Sequence, residues 1–294
     1  MKKVLVAGAT GYLGRYVVKE LKQRGDWVRA LARHPEKLKV TGPFLEPAVA
    51  DLVDDVFVGE VTKSETLRGL CDAIDVIISS VGITRQTDKL TYQDVDYQGN
   101  RNLLDIALAS SASRFVYVHG FNAHLLSSLD GFKAKQKFVD ELRISGMSNA
   151  VVCPTGFFND MSEFLRMAQR GTVYLIGNGD RRINPIHGAD LAKVCVDAIT
   201  SGELVIPVGG PVTYCYREIA ELAFAVLEKP PRIRRIPKWL IQAVLPLIHR
   251  FNSRSYTIAA GIATIMQNDF TAPSVGTHLL KDFYEKLAPK FSGE

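Results

Sequence analysis

Several features that commonly disclose a protein's role are scarce in this chain of 294 residues. Its four cysteines, Cys71, Cys153, Cys195 and Cys215, are scattered, with no C-x-x-C pair and no metal-ligand spacing. They read as buried thiols in a reducing compartment. The histidines show no metal spacing either, and no metal is expected. No uninterrupted apolar stretch reaches the ~18 residues of a membrane-spanning helix. There is no block of about five or six like charges, and the net charge of +5 is modest for the length, so nucleic acid is not an expected partner. The chain runs from Lys2 and Lys3 directly into an apolar strand, so a cleavable signal is not expected and a cytoplasmic location is. The remaining composition, 47% hydrophobic and 23% charged, is that of a globular chain long enough for one α/β domain with an appendage.

Glycine, by contrast, is placed with a pattern. Val4-Leu5-Val6-Ala7 is an apolar strand, and Gly8-Ala9-Thr10-Gly11-Tyr12-Leu13-Gly14 leads from it into a helix whose residues Tyr12, Leu13, Tyr16, Val17 and Leu21 recur at helical spacing. Three such glycines on a strand-to-helix turn are a dinucleotide fingerprint. The first permits the sharp turn, the second lets backbone approach a pyrophosphate, and the third packs helix on strand. The helix amino terminus offers N–H groups and a partial positive charge to the phosphates. Gly8, Thr10, Gly11, Tyr12, Leu13 and Gly14 are the candidate phosphate-binding residues. The competing reading is a glycine-rich strand-to-helix turn that binds nothing, which the flanking strand and helix make the lesser one.

Further strands are expected at Trp27–Ala32, Val56–Gly59, Ala73–Val81, Phe115–Val118 and Ala150–Cys153. Helices alternate with them, a long one carrying Val95, Leu103 and Leu104 and another over Phe132–Ile144. This alternation predicts an α/β fold, a doubly wound parallel sheet of the Rossmann type, over residues 1–155. From there the pattern loosens, and residues 156–294 are expected to form a smaller, mainly helical substrate lobe with segments returning to the core. It is expected to stand over the carboxyl ends of the strands, where open α/β sheets bind ligands.

The end of the second strand of a dinucleotide fold meets the adenosine ribose, where an acid favours NAD and an arginine accommodates the 2′-phosphate of NADP. Here it reads Arg29-Ala30-Leu31-Ala32-Arg33-His34-Pro35, with no acid in that stretch. Arg33 is suited to bidentate phosphate contact, so NADPH is expected over NADH. The alternative is a solvated strand-end arginine; His34 is assigned no role.

Together with Gly8 to Gly14 and Arg33, several segments carry a resemblance. They are Ser79-Ser80-Val81-Gly82, Asp96-Tyr97-Gln98-Gly99-Asn100, Lys133-Ala134-Lys135-Gln136-Lys137-Phe138, Pro154-Thr155-Gly156-Phe157-Phe158, and Asn184-Pro185-Ile186-His187-Gly188-Ala189-Asp190. On these the chain resembles the atypical short-chain dehydrogenase/reductases, the NmrA-like and isoflavone-reductase-like branch. Its lysine-rich helix followed by Pro-Thr-Gly-Phe-Phe looks most like the divinyl chlorophyllide 8-vinyl reductases. The resemblance implies cofactor contacts from Ser80, Val81, Gly82, Asn100 and Lys135. It also implies that Pro154, Thr155, Gly156 and Phe157 pass beside the nicotinamide, Gly156 by close approach and Phe157 or Phe158 as a wall; plain core packing is the alternative for them.

In short-chain dehydrogenases a tyrosine and a lysine four residues later share a helical face, and the lysine charge lowers the tyrosine pKa for proton delivery. Lys135 occupies the lysine position, but Gly131 stands where the tyrosine belongs. The branch it resembles often works without that tyrosine, and reduction of a conjugated C=C needs it less. Lys135 is thus the candidate catalytic residue, with Lys133 and Lys137 as surface residues. Tyr117, His119, Asn122 and His124, around the end of the fifth strand, are candidate proton donors that the sequence does not separate. Asn184, His187 and Asp190 read as a helix start and docking motif.

Near the carboxyl end, Trp239 to Ile248 is strongly apolar, with Arg232, Arg234, Arg235 and Lys238 before it and Arg250 and Arg254 after. The favoured reading is a helix buried between lobes, with its basic flanks in water and broken by Pro246. The alternatives are a wall for a large apolar substrate or a peripheral membrane contact through residues 232–254. The expected function is an NADPH-dependent reductase of a bulky apolar molecule carrying a conjugated C=C, quinone or carbonyl. The competing class is a non-catalytic NADP(H)-binding sensor or assembly factor, which the glycine at 131 favours and the retained Lys135 does not.

Overall fold

The computed structural model describes residues 1–83, 90–251 and 253–291, without the side chains of residues 249, 253 and 254. The Arg254 side chain, counted above among the basic flanks, therefore lies outside the described residues, as does residue 252.

The chain divides into two compact units. The first holds residues 1–120, 130–153 and 191–206. Its strands are β1 (Lys3–Ala7), β2 (Trp27–Ala32), β3 (Asp55–Val58), β4 (Val76–Ser79), β5 (Arg114–Val118) and most of β6 (Ser148–Pro154). The helices are α1 (Tyr12–Gln23), α2 (Asn100–Leu108) and α3 (Asp130–Ile144). The chain then forms α4 (Phe158–Gln169), β7 (Val173–Ile176), β8 (Arg182–Ile183), α5 (Gly188–Asp197), β9 (Val205–Val208), β10 (Tyr214–Cys215), α6 (Tyr216–Val226), β11 (Ile233–Ile236), α7 (Lys238–Phe251), α8 (Ser253–Gln267) and α9 (Leu280–Phe291).

The main sheet has seven strands in the order β3-β2-β1-β4-β5-β6-β9, and every pairing from β3 to β6 is parallel. The expected doubly wound fold is therefore present. Val4 to Ala7 and Val76 to Ser79 are buried along their whole length, as central parallel strands covered on both faces must be. β4 is shorter than the expected Ala73–Val81. Ala73 takes a left-handed backbone (φ 56°) in a turn where Ile74 N–H donates to Cys71 O, so pairing begins only beyond it. The helix before β5 opens with a π-helical stretch, Gln93–Gly99, that runs into α2.

The second unit holds residues 121–129, 154–190 and 207–294. Within it α4 packs on α6 and α9. Phe158, Tyr216, Phe283 and Tyr284 are buried there, and Tyr284 Oη donates to Met161 O at 2.5 Å. β7 and β11 form a parallel pair, β8 and β10 an antiparallel one. Asn184 and Asp190 pin the segment before α9. Asn184 Nδ2 donates to Ala272 O (2.8 Å), and Asp190 Oδ2 accepts from the Thr277 and His278 N–H groups. His187 Nδ1 accepts the Ala189 N–H at the start of α5, which makes this motif the helix start it was read as.

The apolar run at 239–248 departs from expectation twice. α7 continues through Pro246, whose neighbours Gln242 and Ala243 are exposed, so the carbonyl that proline leaves without a donor can be solvated. Nor is α7 buried, because Trp239, Leu240, Val244, Leu247 and Phe251 face solvent. Among the described residues no helix is long and apolar enough to cross a membrane.

Candidate active site

The sheet order reverses between β1 and β4, and such a switch point opens a crevice at the carboxyl ends of the strands. A cavity of about 210 Å³ lies there. Gly8, Thr10 and Gly11 line it from the β1–α1 turn, and Arg33, His34 and Lys37 from the segment after β2. Glu60 and Thr62 follow β3, and Ser80, Val81 and Gly82 follow β4.

The turn is built by what its glycines lack. Gly8 sits at φ +88°, and a Cβ on it would stand 2.7 Å from Ser80 Oγ. Gly11 N–H closes the turn on Gly8 O at 2.9 Å. A Cβ on Gly14 would run into the Gly8 carbonyl. α1 then begins without a capping side chain and without an acid in its first turn, leaving the positive end of its dipole uncompensated. Tyr12, Leu13 and Gly14 form that first turn and not the cavity wall; Leu13 is buried and the Tyr12 ring stands edge-on to Tyr16 at 5.5 Å. Arg15, which the sequence reading passed over, is buried here. Its guanidinium donates to the carbonyls of Thr10, Lys37, Val40 and Pro47, tying the turn to the segment that carries Lys37.

At the far end of β2, Arg33 is 53% exposed and 3.9 Å from Glu60 Oε1, too loose to be committed to it. Glu60 has nearer partners: the Lys63 ammonium at 3.0 Å and the Thr62 hydroxyl at 2.9 Å. The Lys63 hydrogen bond is the chief cause of a carboxyl pKa below the ordinary value. Glu60 and Lys37 were not foreseen. The β2–β3 register, Ala32 opposite Val58, brings Glu60 beside Arg33, and no local signal in the sequence announces that pairing.

After β4 the chain passes a tight corner. Asn100 is fully buried and braces it, accepting from Ser79 Oγ (2.6 Å) and donating to Val81 O (3.3 Å) and Asp96 O (2.9 Å). Lys135, on α3, places its Nζ 3.0 Å from Oδ1 of Asp96, a carboxylate buried in the π-helical stretch. Gly82 lies directly over this ion pair, since a Cβ there would be 2.5 Å from Lys135 Nζ and 2.7 Å from Asp96 Oδ1. The cavity wall at Gly82 therefore separates the cavity from the half-buried Lys135 ammonium by no side chain at all. Burial opposes charge on Lys135, but the Tyr117 phenol oxygen and Asp96 outweigh it and raise the ammonium pKa above its ordinary value. Lys133 and Lys137 are exposed, the latter 3.8 Å over the Tyr97 ring.

The candidate proton donors separate. Tyr117 is fully buried, and burial pushes its phenol pKa up despite the nearby Lys135 charge. Burial first, then Lys135, pushes His119 down to about 4, so it is neutral near pH 7, with Nε2 3.3 Å from Gln136 Oε1. Asn122 and His124 belong to the second unit. At the position of the expected tyrosine, a Cβ on Gly131 would meet the Tyr92 ring at 3.1 Å, so another aromatic already fills that space. Pro154, Thr155, Gly156 and Phe157 also belong to the second unit. There Thr155 Oγ1 donates to Asn184 O at 2.6 Å, and Gly156 O accepts the Ile186 N–H at 2.8 Å.

A cradle without side chains, an uncapped helix start and cations beyond β2 fit a pyrophosphate-bearing dinucleotide. Comparison with known proteins agrees. Residues 8–202 match the NAD(P)H-binding family. The chain is 31% identical to the chloroplastic divinyl chlorophyllide a 8-vinyl-reductase of Zea mays, over 97% of this chain and 79% of that one. It is 24% identical to the photosystem II assembly factor Ycf39 of Trieres chinensis, over 91% of this chain and 83% of the relative. Among solved structures, the NADPH-dependent quinone oxidoreductase QOR2 of Escherichia coli, complexed with NADPH, aligns with a TM-score of 0.72 at 17% identity, over 99% of each chain. At that identity the likeness is one of fold.

Proposed function

The chain belongs to the NAD(P)H-binding family, and from that premise we propose that it is an NADPH-dependent reductase acting on a bulky, largely apolar molecule with a conjugated C=C, quinone or carbonyl. The bound nicotinamide supplies a hydride. Gly8, Thr10 and Gly11, with the start of α1, hold the pyrophosphate, and Arg33, backed by Lys37, meets the 2′-phosphate. Asn100 fixes the corner so that Ser80, Val81 and Gly82 present backbone to the cofactor. Asp96 keeps Lys135 protonated and aimed at Gly82, where its charge orients the cofactor and stabilises the negative charge that develops on the reduced substrate. Pro154, Thr155, Gly156 and Phe157 are assigned to the nicotinamide side. The three thiols buried in the chain, Cys71, Cys153 and Cys195, suit a reducing, cytoplasmic setting.

The observation that carries this reading is the ion pair behind Gly82 between half-buried Lys135 and fully buried Asp96. A non-catalytic NADP(H)-binding redox sensor or assembly factor would use that cation only to hold the cofactor, whereas a reductase also uses it to stabilise charge developing on the substrate. That second reading keeps one observation in its favour, the Tyr92 ring against Gly131, and the name of the Ycf39 relatives accords with it.

Oxidation of NADPH, followed by loss of nicotinamide absorbance against quinones, enones and vinyl tetrapyrroles, distinguishes the two. At least one acceptor class should be reduced, and Lys135→Met should lose ~100-fold or more in kcat, well beyond any weakening of NADPH binding. An intact NADPH complex that reduces no acceptor supports the sensor instead.

A further inference from the structure

Between Lys229 and Asn268 the chain carries seven lysines and arginines and not one aspartate or glutamate. This stretch builds β11, α7 and α8, all within the second unit. Arg232, Arg234, Arg235, Lys238 and Arg250 are exposed. On α7, at about 100° per residue, Leu240, Val244, Leu247 and Phe251 fall in one sector roughly 60° wide, and Trp239 lies about 80° outside it, on the side away from Ile241, Leu245 and Ile248. All five are exposed, Trp239 by 67%, Leu247 by 57% and Phe251 by 78%. Ile241, Leu245 and Ile248 turn to a second, half-buried sector, and α7 packs on α8, where Ile258 and Ile262 are exposed one turn apart. The hairpin thus keeps one apolar face for packing and leaves another to water.

We propose that this outer face docks on an anionic lipid bilayer, with α7 lying in the interfacial plane, its apolar stripe at the acyl boundary and the flanking arginines among the headgroups. The occupant follows from charge and length. A second copy of this chain on the same face would bring cations against cations with no acid between Lys229 and Asn268 to offset them. Nucleic acid would answer the arginines and leave Leu247 and Phe251 in water. An anionic bilayer satisfies both. At 14 residues, ~21 Å of helix, α7 is too short to cross and long enough to lie flat. The proposal does not depend on the reductase reading.

The test is flotation of the full chain with vesicles of phosphatidylcholine alone and of phosphatidylcholine with roughly a third phosphatidylglycerol. Binding is expected to the anionic vesicles only, weakening as salt is raised. The pair Arg234→Glu and Arg235→Glu should cost more than ~10-fold in binding. Leu247→Ser with Phe251→Ser should also release the protein, while NADPH affinity, read in the first unit, stays unchanged and reports an intact fold. No binding to anionic vesicles, equal binding to neutral ones, or loss of a dimer on Leu247→Ser with Phe251→Ser would each overturn the proposal.

Discussion

Gly14 and Gly82 each make room for something by having no side chain, but the atoms they make room for differ. At Gly14 a Cβ would meet the Gly8 carbonyl, part of the backbone that forms the turn. At Gly82 it would meet the tips of Lys135 and Asp96. The phosphate end of the site is therefore built from main chain and is inseparable from the fold. The Lys135 corner is built from side chains brought together by three different elements of the fold. This is why a dinucleotide fold can keep its cofactor while its chemistry changes, and why the fingerprint alone is silent about the reaction.

The same substitution at both glycines should separate these roles. Gly14→Ala must move backbone and should cost about 3 kcal/mol or more of stability, seen as a lower urea midpoint together with loss of NADPH binding. Gly82→Ala should cost less stability than Gly14→Ala, about 1–2 kcal/mol, because the Lys135 ammonium can swing aside and only the buried Asp96 carboxylate must be displaced, while kcat falls ~10-fold or more. If Gly82→Ala unfolds the protein as Gly14→Ala does, the contrast between the two ends fails.

A smaller effect tests whether the corner's charge is felt by its neighbours. His119 is held at about 4 against an ordinary 6.5, so the unfolded chain takes up its proton first as pH falls. The contribution to stability is whole above pH 6.5 and is lost as pH drops towards 4, up to ~3 kcal/mol in all. His119→Gln should flatten the pH dependence of the urea midpoint over that range, and Lys135→Met should flatten it in part. A slope unchanged in both variants would remove His119 from the account.

Much of the first unit was legible because its signals are local. β2 occupies the expected Trp27–Ala32, and the fingerprint lies on the expected strand-to-helix turn. What was not legible depends on register or on shape. Glu60 reaches Arg33 only through the pairing of β3 with β2. Asp96 lies in the Asp96-Tyr97-Gln98-Gly99-Asn100 segment, but its contact with Lys135 arises from a π-helical stretch that no periodicity announces. The buried Arg15 follows the fingerprint immediately but lies off the apolar stripe of Leu13, Tyr16, Val17 and Leu21, so nothing in the helical pattern announces its burial. In α7, apolar composition suggested burial, whereas two apolar sectors on one helix leave one of them in water.

The most direct test of the account is a titration of the protein with NADPH and with NADH, for the parent and for Arg33→Ser. The account predicts saturable binding with NADPH preferred. Arg33→Ser should weaken NADPH by ~10- to 100-fold, the worth of one charge-assisted phosphate contact, and leave NADH nearly unchanged. Equal losses for both nucleotides, or no binding of either, would contradict it.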